Sequence, residues 1–238
     1  MKSFSVWFLV ILIVSVFSSC KKEEIPPEEN LSRFQLQTIQ YFKDVALGFE
    51  AGNSSRITRK WISDMKIFID GNPSDTVMTM IEETNAQLNE LPTDGFEIEI
   101  VDNQLTSNTY FFLGSASEYT ELFPDAEEIL GSDLGTFYVW WNNSRINEAR
   151  IFVDTDRTNL RQQRSLIMEE ITQSLGLGRD SPRYPNSIFY ESQSMGGFAT
   201  EFAPIDQELI RLLYHPEMEI GINANQVDVV LRRIFENE

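Results

Sequence analysis

The run 160–178, LRQQRSLIMEEITQSLGLG, constrains the fold more than any other stretch of the chain. Leu160, Ile167, Ile171 and Leu175 recur at helical spacing and form one inward face. Gly176 and Gly178 then end the helix, because glycine closes a last turn without steric cost. Two β-forming runs precede it, 136–141 (TFYVWW) and 148–154 (EARIFVD), joined by a turn at Asn142, Asn143 and Ser144. A helix of this kind has to pack against the sheet through Ile167 and Ile171.

The remaining segments fit that plan. Leu31, Phe34, Ile39, Phe42, Val45, Ala46 and Phe49 lie close to helical spacing. Lys66 to Asp70 alternates and stops at Gly71-Asn72-Pro73, as a strand followed by a turn does. Val77, Met80, Ile81, Thr84, Leu88 and Leu91 predict an amphipathic helix closed by Pro92. Phe96, Ile98 and Ile100 alternate with acids, 110–113 reads as a buried strand, and 117–130 reads as helical. Two more helices are predicted over 204–214 and 225–235. Together these elements predict an α+β domain, a mixed sheet packed on helices with a mostly helical C-terminal part.

The N-terminus is of a different kind. Residues 6–17 (VWFLVILIVSVF) are apolar except for Ser15 and follow Lys2. Crossing about 30 Å of hydrocarbon takes roughly 20 residues, so this run has the proportions of a secretory signal core. Phe17-Ser18-Ser19-Cys20 resembles the bacterial lipobox, in which small residues precede a lipidated cysteine. Cys20 is the chain's one cysteine, so no disulfide can form within it. Residues 21–30 (KKEEIPPEEN) read as a solvated tether. The expected organisation is a signal peptide over 1–19, the lipidated Cys20 and tether over 20–30, and a domain over 31–238. The formal net charge is −18, and loss of Lys2 with the signal takes it to −19. Such a balance argues against nucleic acid, whose phosphates need basic patches, and against electrostatic docking on anionic lipid.

The helix carries a further resemblance. Metzincin proteases bear H-E-x-x-H-x-x-G-x-x-H and a later turn beneath the metal. Aligned on Gly176, this chain places Glu169, Glu170, Gln173 and Arg179 on that pattern. Ser174-Leu175-Gly176-Leu177 and Ser187-Ile188-Phe189-Tyr190 are similar to the matrixin-like "SLGL" and "SIMY" segments. The closing helix at 204–214 resembles the family's last helix. The combination is also similar to an uncharacterised zincin-like family of bacterial lipoproteins. The close match covers about 164–221, and the resemblance implies a zincin-like fold with a cleft beside Glu170.

The chemistry at the motif departs from the family. Two histidines at i and i+4 would share one zinc, with the glutamate between them activating its water. Glu169 and Gln173 stand at those places, and a side-chain amide is a poor zinc ligand. Arg179 stands at the third, where a permanent guanidinium repels a cation. The one histidine, His215, reads as a helix-end residue. The expectation is therefore no zinc and no cofactor, with Arg179 paired to Glu169 or Glu170 in place of the metal. Asp180, Glu191 and Glu201 are the candidates for an all-oxygen site suited to calcium or magnesium. The turn over Ser187, Ile188 and Phe189 should lie beneath the site, and Met195-Gly196-Gly197 forms a loop near the cleft.

These residues imply a lipid-anchored envelope protein, on the outer or cytoplasmic membrane and facing the surface, with a pseudo-peptidase cleft that binds a protein or peptide. Two other classes compete with it. One is an active hydrolase with Glu170 as catalytic base and a non-standard metal site. The other is a purely structural envelope protein, which would have no ligand-sized groove.

Overall fold

The computed structural model describes residues 31–50, 54–191 and 198–238. The lipobox, Cys20 and the Met195-Gly196-Gly197 loop lie outside the described residues.

Six strands form one sheet: β1 (Lys60–Trp61), β2 (Met65–Gly71), β3 (Ile98–Val101), β4 (Thr109–Gly114), β5 (Gly135–Asn142) and β6 (Arg145–Asp154). The strand order is β1-β6-β4-β2-β3, all parallel, with β5 antiparallel on β6. β5 pairs with β6 from Gly135 to Asn142, so β1 and β4 must share the opposite edge of β6, at Arg145–Ile146 and from Ala149 onward. Asn143 (φ 49°) and Ser144 (φ 65°) make the tight turn between β5 and β6. Two successive left-handed residues suit the right-handed twist of a hairpin, and asparagine tolerates them well.

The helices are α1 (Arg33–Val45), α2 (Asp75–Asn89), α3 (Ala116–Leu122), α4 (Glu127–Leu130), α5 (Leu160–Ser174), α6 (Pro204–Leu213) and α7 (Ala224–Asn237). The main core joins α1, α2, α5, α6 and α7 to one face of the sheet through Phe42, Ile67, Phe111, Ile151, Ile167, Ile171 and Leu209. A smaller cluster of Phe112, Tyr119, Ala126, Leu130 and Phe152 covers the other face.

Two sequence expectations are corrected, and one strand is unforeseen. Residues 117–130 are two short helices with a 3-10 turn (Pro124–Ala126) between them, because Pro124 cannot continue a helix. Leu160 is the first residue of α5 and is half exposed, at 50%, so the buried face begins later, at Gln163. The two-residue β1 has no periodicity by which it could be read.

α5 is held at both ends. Asn159 caps it, accepting from the Arg161 and Gln162 amides, while Gln162 bonds back to the Asn159 amide. At its C-terminus the last carbonyls have no partner within the helix. The Trp61 indole donates to the Ser174 carbonyl at 3.0 Å, and the Tyr214 hydroxyl donates to that of Leu175 at 2.9 Å. Gly176, at φ 116°, then turns the chain so tightly that a Cβ would lie 2.0 Å from the Arg59 carbonyl oxygen. No other residue fits there.

Candidate functional site

α5 brings Glu169, Glu170 and Gln173 to one place beneath β5. Glu170 is 5% exposed, and its Oε1 lies under Gly135, where a Cβ would come within 2.6 Å of it. The Glu170 carboxyl makes no hydrogen bond or ion pair among the described residues. Glu169 beside it is half-buried. The Gln173 amide donates to Asp180 Oδ1 at 2.7 Å, and the Asp180 amide donates to Glu50 Oε1 at 3.0 Å. Glu169 and Glu170 both feel the Asp180 charge, so four carboxylates form one electrostatic group in which Gln173 bonds Asp180 alone.

Their protons report the crowding. Burial raises the Glu170 carboxyl well above its ordinary value, and Glu169, Asp180 and Asp133 push in the same direction. Glu169 is raised by burial, then by Asp180 and Glu50. Asp180 is pushed up to about 7 by burial and by Glu50 and Glu191, against the opposing Gln173 bond and Arg179. A buried carboxylate without a cation or donor takes up a proton rather than remain charged.

Arg179 does not supply that cation. Its Nη1 donates to the Phe49 carbonyl at 3.5 Å, and no ion pair joins it to Glu169 or Glu170 among the described residues. The expected substitution of a guanidinium for the metal is therefore overturned. The physical reason lies next door. Gly178 packs so closely on Phe49 that a Cβ would lie 2.1 Å from its ring, which places Arg179 beside the Phe49 backbone.

Zinc would need donors converging from positions 169, 173 and 179. The Gln173 amide is engaged by Asp180, and Arg179 is turned to Phe49. No group of three or more His, Cys, Asp or Glu among the described residues is placed to hold a metal ion. These residues do not fit zinc. Of the candidate oxygen ligands, Asp180 and Glu191 act on each other electrostatically. Glu201 is exposed and is not among the acids that act on Glu169, Glu170 or Asp180. His215 lies just past α6, its Nδ1 accepting from the Glu217 amide at 3.1 Å.

An aromatic wall flanks the acids. Phe49 lies 6.0 Å from Phe137 and 5.3 Å from Trp141, centroid to centroid. The Arg59 guanidinium sits 4.7 Å over the Trp141 ring. β5 thus sets Gly135 over Glu170 of α5 and Phe137 and Trp141 against Phe49, and among the described residues it pairs with β6 alone.

Residues 35–233 match the family described as Protein of unknown function (DUF2927). The chain belongs to the DUF2927 family. Among solved structures, that of myroilysin is similar at 10% identity, covering 66% of this chain and 95% of that one, with a TM-score of 0.43. No curated protein matches the sequence.

In this DUF2927 chain the turn at Ser187, Ile188 and Phe189 is buried and anchored by a residue that the motif does not include. Ser187 Oγ donates to Asp206 Oδ1 at 2.5 Å and meets the Tyr41 hydroxyl at 2.8 Å. Asp206 Oδ2 accepts from the Ile188 and Ala203 amides. Glu50, Gly135 and Asp206 are the site residues that sequence reasoning missed. Asp206 alone had a local signal, the Ala-Pro-Ile-Asp start of α6 with proline at its first turn. Glu50 and Gly135 reach the site only through the tertiary fold.

Proposed function

We propose that this DUF2927 protein is a lipid-anchored cell-envelope protein with a protease-like cleft that has lost its zinc ligands and binds an extended, cationic polypeptide. The carrying observation is the set of crowded carboxylates, Glu50, Glu169, Glu170 and Asp180, near β5, whose outer edge is unpaired among the described residues. A free strand edge offers backbone donors and acceptors in register for an added strand. The acids favour a lysine or arginine on that strand, and Phe137 and Trp141 offer apolar contact. A bound cation would replace protons on Asp180 and its neighbours, so binding tightens as pH rises through about 7. Lipidation at Cys20 and placement on the envelope surface rest on the lipobox-like Phe17-Ser18-Ser19-Cys20 and the charged tether.

The test uses extended peptides that differ only in one central lysine, norleucine or glutamate, measured by calorimetry at pH 6 and pH 8. The lysine peptide should bind best, with affinity increasing at pH 8, and Asp180→Asn should weaken it. Equal affinity for all three peptides would remove the charge-reading role. Turnover of any of the peptides that is lost in Glu170→Gln would establish the hydrolase instead.

A further inference from the structure

A second recess lies at the other edge of β6, where the sheet opens between the end of β1 and the start of β4. β1 pairs only with Arg145 and Ile146, and β4 begins its pairing at Ala149. Asn147 therefore falls in the gap. The groove there has a volume of about 490 Å³ and is lined by Ile62, Asn142, Arg145, Asn147 and Ile220, among others.

Its chemistry is unlike the rest of the surface. The chain carries 37 acidic and 19 basic residues, yet no carboxylate lines this groove among the described residues. Arg145 is exposed, and its guanidinium makes no ion pair or hydrogen bond among the described residues. Arg150, Arg157, Arg164, Arg183 and Arg211 each hold a carboxylate. The amides of Asn142 and Asn147 are likewise unengaged among the described residues, whereas Asn89, Asn108, Asn159 and Asn223 bond to backbone. Ile62, 53% exposed, and Ile220 supply an apolar flank.

We propose that this groove binds an acidic saccharide. A side-chain amide both donates and accepts, as does a sugar hydroxyl, so a pair of amides matches a polyhydroxyl ligand better than it matches a bare anion, which can only accept. Arg145 receives the sugar carboxylate in a charge-assisted, bidentate bond. The aliphatic flank takes the C–H face of the ring, in the usual manner of a site that joins apolar walls to a few polar groups. This site is independent of the cleft under β5.

The test titrates the full chain with trigalacturonate, with its carboxyl-reduced trisaccharide, and with tricarballylate as an acid without hydroxyls. Trigalacturonate should bind saturably below about 10 mM, a weak but measurable affinity. Its carboxyl-reduced counterpart, and Arg145→Gln with trigalacturonate, should each bind roughly tenfold more weakly, the loss typical of one charged hydrogen bond. Asn147→Ala should weaken the sugar and leave tricarballylate unchanged. Arg145 has no structural partner, so Arg145→Gln should keep the wild-type melting temperature, separating loss of binding from misfolding. No saturation by about 10 mM, equal affinity for tricarballylate, or an unaffected Arg145→Gln would each overturn the assignment.

Discussion

Glu170 should be a burden on the fold at neutral pH, and replacing it by glutamine should stabilise the protein. The side chain is 5% exposed, lies under Gly135 and has Glu169 and Asp180 as electrostatic neighbours. Its folded-state pKa lies well above the ordinary 4.5. The stability it contributes is therefore complete below the unfolded value and is lost as pH rises through the folded one. One pKa unit corresponds to about 1.4 kcal/mol, so protonating a glutamate of pKa 4.5 at pH 7 costs at most about 3.4 kcal/mol. Glutamine keeps the shape without that cost and adds a donor toward the neighbouring acids. Glu170→Gln should therefore gain about 1–3 kcal/mol at pH 7 and less than about 1 kcal/mol at pH 5. In thermal melts that is an increase in Tm of roughly 2–10 °C at pH 7 for a chain of this size. Urea denaturation at both pH values supplies the free energies. Loss of stability at pH 7, or a gain that does not shrink at pH 5, would refute the reading of a crowded carboxyl group without a cation.

The same geometry leaves little room for a side chain at Gly135. Gly135→Ala places a Cβ 2.6 Å from Glu170 Oε1 and 3.0 Å from Leu166 Cδ2, and should cost about 1–3 kcal/mol by overpacking, partly recovered in a double variant with Glu170→Ala. Equal destabilisation in both backgrounds would place the strain elsewhere. Elemental analysis of the purified protein should find no stoichiometric zinc, and chelators should leave its Tm unchanged, since a bound structural metal would couple strongly to folding; one zinc per chain with a large drop on chelation refutes this. Cys20→Ala should leave an unlipidated precursor, and an acylated product of unchanged mass would disprove the assignment of Cys20.

How much of this was legible in the sequence varied with the range of the interaction. α5 and the β5–β6 hairpin were readable because each is specified locally, by Ile167, Ile171 and Leu175 at helical spacing and by a left-handed Asn143-Ser144 turn. β1 was not readable. It is two residues long, and its role is to bring Trp61 to the Ser174 carbonyl, a contact 113 positions away in the chain. The break at Pro124 was visible in principle, since proline cannot continue a helix, but 117–130 carries only a weak apolar pattern and reads as a single helix. The site divided in the same way. Glu169, Glu170 and Gln173 share one helix and are found together, whereas Glu50 and Gly135 arrive from distant segments.

Arg179 is the instructive failure. The expectation assumed that crowded carboxylates recruit the nearest cation, and by sequence Arg179 is the nearest. Recruitment depends on where the backbone points, and Gly178 packs against Phe49 and Phe137 closely enough to direct Arg179 to the Phe49 carbonyl. The fold therefore carries the acids by protonation, at a cost capped at a few kcal/mol at pH 7. The protonated arrangement lacks the vulnerability of a buried ion pair to single substitutions, where removing one partner typically costs about 3–5 kcal/mol. It also leaves the charge open to exchange. A group held protonated near neutrality, as Asp180 is at about 7, can release its proton to an incoming cation, whereas a carboxylate already locked to arginine cannot. With Arg179 turned to the Phe49 carbonyl, Glu169 and Glu170 hold no ion pair among the described residues, which is the condition that the proposed binding of a cation requires.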